Sequence, residues 1–364
     1  MSRPQSFSSG CTTLDNALGG GWAVGHMANI YGLESSGKTL LLIEAAAQFA
    51  RKFPKAPMRL VDAEAAFDED YAASIGYPIG RVSMAHPGEV QTIEDWYEDL
   101  VKFTEKVPKG EPALYMEDSL DALSSDAEMA RDIRSTGYKT EKMQALSQMF
   151  RRVIALLESR HVSLMVISQM RMNPAAKPGT SPYIETGGTA FKYYAYQRLK
   201  LSKKKSITRT IAGETREIGI KVEGNVKKNK FGAPFRKADF PIIFGFGIDN
   251  MASNLEYLST HFTKVPKGKE KEYPEKDYPK GIPFLARIPG STDVKTLDAF
   301  VKRLQKLDSK DFKEMAALIN QTVIDCDTEI SEGFRPTKSR DEGGFEAADE
   351  IDTEARHDQI DTED

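Results

Sequence analysis

Short apolar runs alternate with amphipathic segments along the first 250 residues of the chain. Apolar runs that end in polar or glycine-bearing segments are typical of buried strands. Four such runs predict strands, at residues 27–31, 58–62, 113–117 and 162–168. Strands that alternate with helices indicate an α/β domain with a largely parallel central sheet, whose loops carry the ligand sites.

Helical periodicity predicts three helices between these strands, at residues 38–51, 92–104 and 140–159. The third has apolar residues three or four positions apart, a spacing that places them on one buried face. These residues are Met143, Leu146, Phe150, Val153 and Leu157.

The pattern changes after about Ser202, where alternating segments at 216–227 and 237–244 predict antiparallel strands that extend the sheet. Most of the later Pro, Lys and Tyr residues lie within 252–285, which favours irregular structure there. Two helices are predicted next, at 294–307 and 311–325. The predicted organisation is a core over residues 1–250, a small C-terminal region over 251–340 that is first irregular and then helical, and a tail over 341–364.

Composition excludes several classes of protein. A hydrophobic fraction of 40% and a charged fraction of 29% are those of an ordinary globular chain. The chain contains no run of 18 apolar residues, and its start lacks the apolar stretch of a secretory signal, so we expect a soluble cytoplasmic protein without a membrane partner. Cys11 and Cys326 match no metal-ligand spacing and are predicted to be ordinary thiols.

The net charge of −4 hides a strong asymmetry. The tail 341–364 has a net charge of −10 and few apolar residues, which predicts disorder. The segment 192–237 has 14 Lys or Arg against three Glu. Such a stripe could attract the phosphates of a nucleic acid, but solvated strand faces beside a solubilising tail explain the charges equally well.

The most specific motif is G-x-x-x-x-G-K-[ST], placed directly after a predicted strand and before a predicted helix. Its residues are Gly32, Leu33, Glu34, Ser35, Ser36, Gly37, Lys38 and Thr39. Glycines let the backbone curve around a phosphate at the helix N-terminus. Lys38 would then reach the β- and γ-phosphates of a nucleoside triphosphate, and Thr39 would offer its hydroxyl to Mg²⁺.

Three other predicted strands end in residues suited to triphosphate chemistry. Asp118 could hold the metal, and Glu64 could accept a proton from the attacking water, although a loop carboxylate without a catalytic role fits the same spacing. Gln169 could donate a hydrogen bond to the γ-phosphate and report its loss. The breaker-rich segment 173–182 follows and is predicted to be a mobile loop.

Six segments occur in the order and approximate spacing of one known family. They are YGLESSGKT, VDAEAAFDEDYA, EDSLDAL, SQMRM, TGGTAFKYYA and VKKNKFGAPF. Between Ser8 and Asp249 the chain resembles the bacterial RecA recombinases and their phage counterparts. The resemblance implies a RecA-type P-loop ATPase core with a largely parallel central sheet extended by antiparallel strands, followed by a small α-rich unit and a disordered acidic tail.

The resemblance implies a nucleotide site for ATP and Mg²⁺, in which Lys38, Glu64 and Gln169 are catalytic. Thr39 and Asp118 would bind the metal, and the residues of the loop 32–39 the phosphates. The other implied contacts are to adenine and, across a subunit interface, to the neighbour's ATP. They involve Asp68, Tyr71, Lys228 and Lys230.

The resemblance also implies two DNA-binding loops, at residues 126–139 and 171–188, the first with a divergent sequence. The residues implied to bind DNA are Arg151, Arg171, Met172, Lys177, Gly187 and Gly188. The family begins with a helix and strand that dock onto the next subunit, whereas only seven residues precede Ser8 here. This difference suggests a phage-encoded form without the N-terminal helix, acting in the host cytoplasm.

The implied function is ATP-dependent homologous recombination. The protein would assemble on single-stranded DNA, pair it with homologous duplex and promote strand exchange with DNA-stimulated ATP hydrolysis. The implied partners are both forms of DNA, further copies in a helical filament or a ring, and loader and single-strand-binding proteins. The alternatives are a ring-forming, helicase-like motor, which the paired lysines disfavour, and a nucleotide-binding regulator, which has no need of Glu64.

Overall fold

The computed structural model of the chain describes residues 4–85, 88–131, 140–173, 179, 182–261 and 296–333. The chain divides into two compact units: Met1–Arg171 with Glu185–Ser253, and Met172–Ile184 with Asn254–Asp364. Residues 262–295 and the whole acidic tail lie outside the described residues. The division into three domains therefore stays a prediction.

The described residues form twelve strands and ten helices. The strands are β1 (Ser6–Phe7), β2 (Trp22–Ala23), β3 (Met27–Gly32), β4 (Met58–Asp62), β5 (Val82–Met84), β6 (Ala113–Asp118), β7 (Val162–Met172), β8 (Tyr183–Glu185), β9 (Gln197–Ile211), β10 (Glu214–Asn229), β11 (Lys237–Ile243) and β12 (Gly247–Ile248). The helices are α1 (Thr12–Ala17), α2 (Lys38–Lys52), α3 (Glu69–Ser74), α4 (Ile93–Lys106), α5 (Asp126–Met129), α6 (Thr140–Arg160), α7 (Gly188–Tyr194), α8 (Asn250–His261), α9 (Leu297–Leu304) and α10 (Ser309–Gly333).

The main sheet has the strand order β12-β11-β10-β9-β3-β7-β6-β4-β5, and β8 pairs with β7. Strands β5, β4, β6, β7, β3 and β9 pair in parallel, whereas β9, β10, β11 and β12 pair antiparallel. The predicted fold class is confirmed, because a largely parallel sheet is extended at one side by antiparallel strands. The four strands predicted in the first half are all present.

Both faces of the parallel part are buried, as a sheet built from β-α-β units requires. Helix α2 and one face of the sheet contribute to one hydrophobic cluster, and α4 and α6 contribute to a second on the other face. Of the apolar stripe predicted on α6, Leu146, Phe150, Val153 and Leu157 are buried, and Met143 is partly buried. The helical spacing therefore identified the buried face of α6 correctly.

The second unit differs from its prediction in one place. Helix α8 occupies residues for which the composition favoured irregular structure from residue 252 onward. Within this unit Asn254 Nδ2 donates to Asn320 Oδ1 at 2.6 Å, and the Tyr257 hydroxyl donates to Asp327 at 3.0 Å. These hydrogen bonds to α10 stabilise α8, whose own sequence gave only a weak helical signal. Helices α9 and α10 correspond to the two helices predicted there.

Charge is buried inside the first unit where α4 packs beside β4 and β6. The guanidinium of Arg59 donates two hydrogen bonds of 2.6 Å to the carboxylate of Asp99, which also accepts one from Tyr115 at 2.5 Å. Burial and the neighbouring Asp99 charge hold the pKa of Tyr115 well above its ordinary value. Arg59 also lies 3.5 Å from the carboxylate of Glu89, so Asp99 is the closer of its two acidic partners and the pair is a structural one.

Among the described residues, no helix combines the length and the apolar composition that crossing a membrane would require.

We expect Asp99→Asn to lower the free energy of unfolding by about 2–3 kcal/mol, because it removes the closer charge partner of the mostly buried Arg59 guanidinium and leaves only Glu89 at 3.5 Å. Urea denaturation measures the change. The matched control is Glu98→Gln on the same helix, whose partner Lys102 is exposed as Glu98 is, and which should cost under about 0.5 kcal/mol. Equal losses in the two variants would contradict a structural role for the Arg59–Asp99 pair.

Candidate active site

The candidate phosphate-binding loop joins the end of β3 to the start of α2. Gly37, directly before α2, has φ +87°, a conformation that favours glycine. A Cβ atom at Gly37 would lie 2.5 Å from Ile242 Cδ1, and one at Gly32 would lie 2.3 Å from the carbonyl oxygen of Leu201. Both glycines are therefore required by the surrounding structure, which keeps a curved backbone free of side chains as phosphate binding demands.

Lys38 begins α2 and points back into this loop. Its side chain donates a hydrogen bond of 2.8 Å from Nζ to the carbonyl oxygen of Leu33, and the residue is only 8% exposed. Burial lowers the pKa of the ammonium, and the nearby carboxylates of Asp118 and Glu64 act in the opposite direction. The ammonium retains further N–H groups that a phosphate could accept.

Thr39 and Asp118 meet across the sheet. The Thr39 hydroxyl donates to Asp118 Oδ2 at 2.7 Å. Burial raises the pKa of Asp118 from its ordinary 3.8 to about 6, although the Thr39 hydrogen bond opposes this shift. One hydroxyl and one carboxylate fit Mg²⁺ that also binds phosphate oxygens and water. Consistently, the described residues contain no cluster of three or more His, Cys, Asp or Glu that could hold an ion alone.

A cavity of about 260 Å³ opens beside the loop. It is lined by residues 34–40 together with Glu64, Asp118, Ile167 and Gln169. The structure therefore brings together the residues predicted to contact phosphate, to bind the metal and to act in catalysis. Their individual roles stay predictions.

Glu64 and Gln169 are in direct contact at this cavity. Gln169 Nε2 donates to Glu64 Oε1 at 2.7 Å, and the hydroxyl of Ser119 donates to the same oxygen. The two donors orient an exposed carboxylate. The sequence pattern missed Ser119, although it lies beside Asp118 in the motif EDSLDAL.

The two residues implied to contact adenine lie together outside that cavity lining. Asp68 caps α3 by accepting a hydrogen bond of 2.9 Å from the backbone N–H of Tyr71. The hydroxyl of Tyr71 is hydrogen-bonded by the backbone of Gly245, and burial raises its pKa. The structure thus gives Asp68 a capping role and leaves the adenine contact a prediction.

Lys228 and Lys230 lie away from the edge of the sheet at which the phosphate loop emerges. In β10 Lys228 pairs with Arg198 of β9, which pairs with Asn29 near the start of β3. The phosphate loop begins three residues after Asn29, which is an offset of roughly 10 Å along the strand direction at about 3.3 Å per residue. Lys228 Nζ instead donates to the carbonyl oxygens of Lys192 at 2.6 Å and Tyr193 at 2.8 Å. The structure does not bring these lysines to the chain's own loop.

The candidate DNA-binding residues that the structure describes lie on several elements. The side chain of Arg171 is 58% exposed and lies 3.3 Å from the carboxylate of Asp121, whereas Arg151 is exposed on α6. Met172 is also exposed, Gly187 directly precedes α7, and Gly188 is its first residue. Lys177 lies outside the described residues, as do residues 132–139 of the predicted first loop.

Glu117 stands beside Asp118 but on the other face of β6, because successive strand residues point to opposite faces. It is fully buried, and neither of its carboxylate oxygens has a hydrogen-bond partner among the described atoms. Burial and the adjacent Asp118 charge hold its pKa well above the ordinary value. Alternation along the strand was the signal that separates the two acids.

Comparison with known proteins agrees with this arrangement. The family model of the RecA N-terminal domain matches residues 2–249. The chain is 31% identical over 335 residues to Protein RecA of Thermosynechococcus vestitus, covering 90% of this chain and 87% of that protein. It is 32% identical over 266 residues to Protein RecA of Synechococcus sp. strain CC9605, covering 73% of this chain and 67% of that protein.

The chain belongs to the RecA family. Proteins of the RecA family bind ATP and DNA and act in DNA recombination and repair. The family model ends one residue after β12, so it covers the whole main sheet of the first unit. The resemblance drawn from the six sequence segments is confirmed.

The raised pKa of Asp118 predicts how pH affects stability in the nucleotide-free RecA-family protein. Since the folded protein binds this proton more tightly than the unfolded chain, stability falls as pH rises between 3.8 and about 6. We expect the stability of Asp118→Asn relative to wild type to increase by about 2 kcal/mol from pH 4 to pH 7. Urea denaturation at both pH values measures this, and a constant difference would contradict the assignment.

Proposed function

We propose that this protein is an ATP-dependent strand-exchange recombinase. It assembles on single-stranded DNA, pairs that strand with homologous duplex, and hydrolyses ATP in a reaction that DNA stimulates. The observation that carries the proposal is the hydrogen bond between Gln169 and Glu64. It joins the candidate catalytic carboxylate to the strand that leads directly into the candidate DNA loop.

In the proposed reaction the curved loop binds the triphosphate through its backbone N–H groups. Lys38 leaves the carbonyl of Leu33 and donates to the β- and γ-phosphates. Thr39 and Asp118 would hold Mg²⁺, which neutralises phosphate charge when bound. Glu64, held in place by Ser119, orients the attacking water and accepts its proton.

The side-chain amide of Gln169 has two alternative hydrogen-bond acceptors in the proposed cycle, Glu64 and the γ-phosphate. Without nucleotide its amide donates to Glu64. When a γ-phosphate is present, the amide turns to donate to the phosphate oxygen, which frees Glu64 for the water. Loss of the γ-phosphate after hydrolysis restores the first contact, so that the position of Gln169 reports the state of the nucleotide.

The position of Lys228 and Lys230 supports assembly as part of the function. The register places Lys228 roughly 10 Å along the strand direction from its own phosphate loop, and in the proposed assembly Lys228 and Lys230 contact the ATP of a neighbouring copy. A helical filament on DNA is the proposed arrangement, with a ring as the alternative. Electron microscopy of the protein with single-stranded DNA and a non-hydrolysable ATP analogue distinguishes the two.

The basic segment 192–237 supports DNA binding through phosphate neutralisation, which weakens steeply as salt increases. Loader and single-strand-binding proteins complete the proposed set of partners, and the cytoplasm is the proposed location. An assay that separates strand exchange between homologous DNAs from unwinding of a duplex distinguishes the recombinase from a helicase-like motor.

Lys38→Ala should reduce ATP turnover at least about 100-fold, because it removes a buried donor to the transferring phosphate. A phosphate-release assay with single-stranded DNA measures the rate, and circular dichroism shows that the fold is retained. Lys310→Ala, an exposed lysine of the second unit, is the matched control and should keep the wild-type rate. Normal turnover by Lys38→Ala would refute the assignment of the site.

Replacing Lys228 and Lys230 together by Ala should lower the DNA-stimulated rate about tenfold, since the neighbour's ATP loses two cations. Thermal unfolding of the unassembled protein should change much less. The charge-matched control replaces Lys310 and Lys313, both exposed on α10, by Ala. If stimulation by DNA survives in the first double variant, the lysines do not act across the interface.

A further inference from the structure

Asp121 lies in the turn that follows β6, three residues beyond Asp118. Its side chain is only 3% exposed, and it contacts three groups from distant parts of the sequence. The backbone N–H of Gln169 donates to Oδ2 at 2.7 Å, and the hydroxyl of Thr186 donates to Oδ1 at 2.5 Å. The guanidinium of Arg171 lies 3.3 Å from Oδ1. A carboxylate suits this position because it accepts several hydrogen bonds and donates none.

The three partners of Asp121 flank one segment. Gln169 and Arg171 precede residues 172–184, and Thr186 follows them. The two flanks also contact each other, because the backbone N–H of Thr186 donates to the carbonyl oxygen of Gln169 at 3.0 Å. A single buried carboxylate thus holds both stems of the segment that carries the second candidate DNA loop.

The same turn is attached to the region of the first candidate loop. Lys142, in the first turn of α6, donates from Nζ to the carbonyl oxygens of Leu120, at 2.8 Å, and Leu123. Burial lowers the pKa of Lys142, and the nearby Asp121 charge opposes that shift. Residues 120–123 are therefore hydrogen-bonded both to Lys142, which follows the first candidate loop, and to Gln169 and Thr186, which flank the second.

Gln169 links this turn to the nucleotide cavity. Its backbone is bound to Asp121, and its side chain is bound to Glu64 at 2.7 Å. A rotation of the Gln169 side chain toward a γ-phosphate would therefore act on a backbone whose N–H group is bound by Asp121. The contacts run without a gap from Glu64 through Gln169 to Asp121, and from Asp121 to Arg171 and Thr186.

We propose that Asp121 is a positioning residue that holds both stems of the segment 172–184 as one body, so that the Gln169 contact transmits the nucleotide state to Arg171 and Thr186 together. This inference rests on the proposed function, in which Gln169 responds to the γ-phosphate. Asp121 touches neither the phosphate loop nor the cavity, so its effect is on coupling between the two sites rather than on chemistry.

The test measures that coupling as a ratio. The dissociation constant for a fluorescent oligo(dT) is measured with ADP and with a non-hydrolysable ATP analogue. The ratio of the two constants should fall at least tenfold in Asp121→Ala. Asp121→Asn should be intermediate, because the amide oxygen still accepts a hydrogen bond while the charge facing Arg171 is lost. Asp325→Ala, an exposed aspartate of α10, is the matched control and should keep the wild-type ratio.

A second variant guards against a loss of folding. Thr186→Val keeps the size of the side chain but removes the hydroxyl donor, and it should lower the ratio in part while thermal unfolding stays near that of wild type. A wild-type ratio in both Asp121→Ala and Thr186→Val would overturn the proposal. Equal weakening of both dissociation constants, with the ratio preserved, would also overturn it, because that result indicates a merely structural residue.

Hydrogen exchange without DNA separates this inference from the proposed function. In wild type, exchange over residues 169–186 should slow when the ATP analogue replaces ADP, and Asp121→Ala should abolish the difference. Failure of wild type to show DNA-stimulated hydrolysis would refute the recombinase function and leave this exchange result to decide the role of Asp121. Exchange that responds to the nucleotide equally in Asp121→Ala and wild type would overturn the inference.

Discussion

Parallel pairing of neighbouring strands determines which residues of this protein can meet. In the register of the sheet Gly32 pairs with Gln169, and Asp62 pairs with Asp118. Because these strands run in one direction, the segments that follow them emerge at one edge. Residues separated by more than a hundred positions in the chain therefore contact each other there. The hydrogen bonds from Thr39 to Asp118 and from Gln169 to Glu64 are consequences of that register.

Local patterns in the sequence were enough for the elements that the register joins. Residues 58–62 were predicted as a strand with the observed bounds. Lys38 could be found from the glycine-bearing motif between a strand and a helix, and Glu64 and Gln169 because each follows a predicted strand, although β7 continues past Gln169 to Met172. Partners decided by long-range contact were not accessible in this way. Asp121 is identified only by donors 48 and 65 residues away, and helix α8 by contacts 66 and 70 residues away.

Ionisable groups in and beside the nucleotide-free site are buried at a cost in free energy. Lys38, Asp118 and Glu117 are all buried, and burial shifts the pKa of each in the direction that favours its neutral form. A folded core gains nothing from such groups, since isolated charges are costly to remove from water. At Lys38 and Asp118 the opposite charges of a phosphate and a cation would relieve that cost. Part of the free energy of ligand binding would therefore come from relieving a cost that arose on folding, which is typical of sites that act on charged ligands.

The long hairpin of β9 and β10 has a different consequence. Strand β9 pairs with β3 only over Gln197–Leu201, and β10 pairs with β11 only over Gly219–Asn225, so beyond the sheet the two strands form an exposed ribbon with open edges. Open edges are templates for pairing with other chains. The edge of β9 beyond Leu201 carries Lys203, Lys204, Lys205 and Arg209, the ribbon carries Arg216 on β10, and the register shifts between Glu217 and Gly219. Charged side chains, several of them held in ion pairs, and the irregular register disfavour the pairing of this edge with another chain.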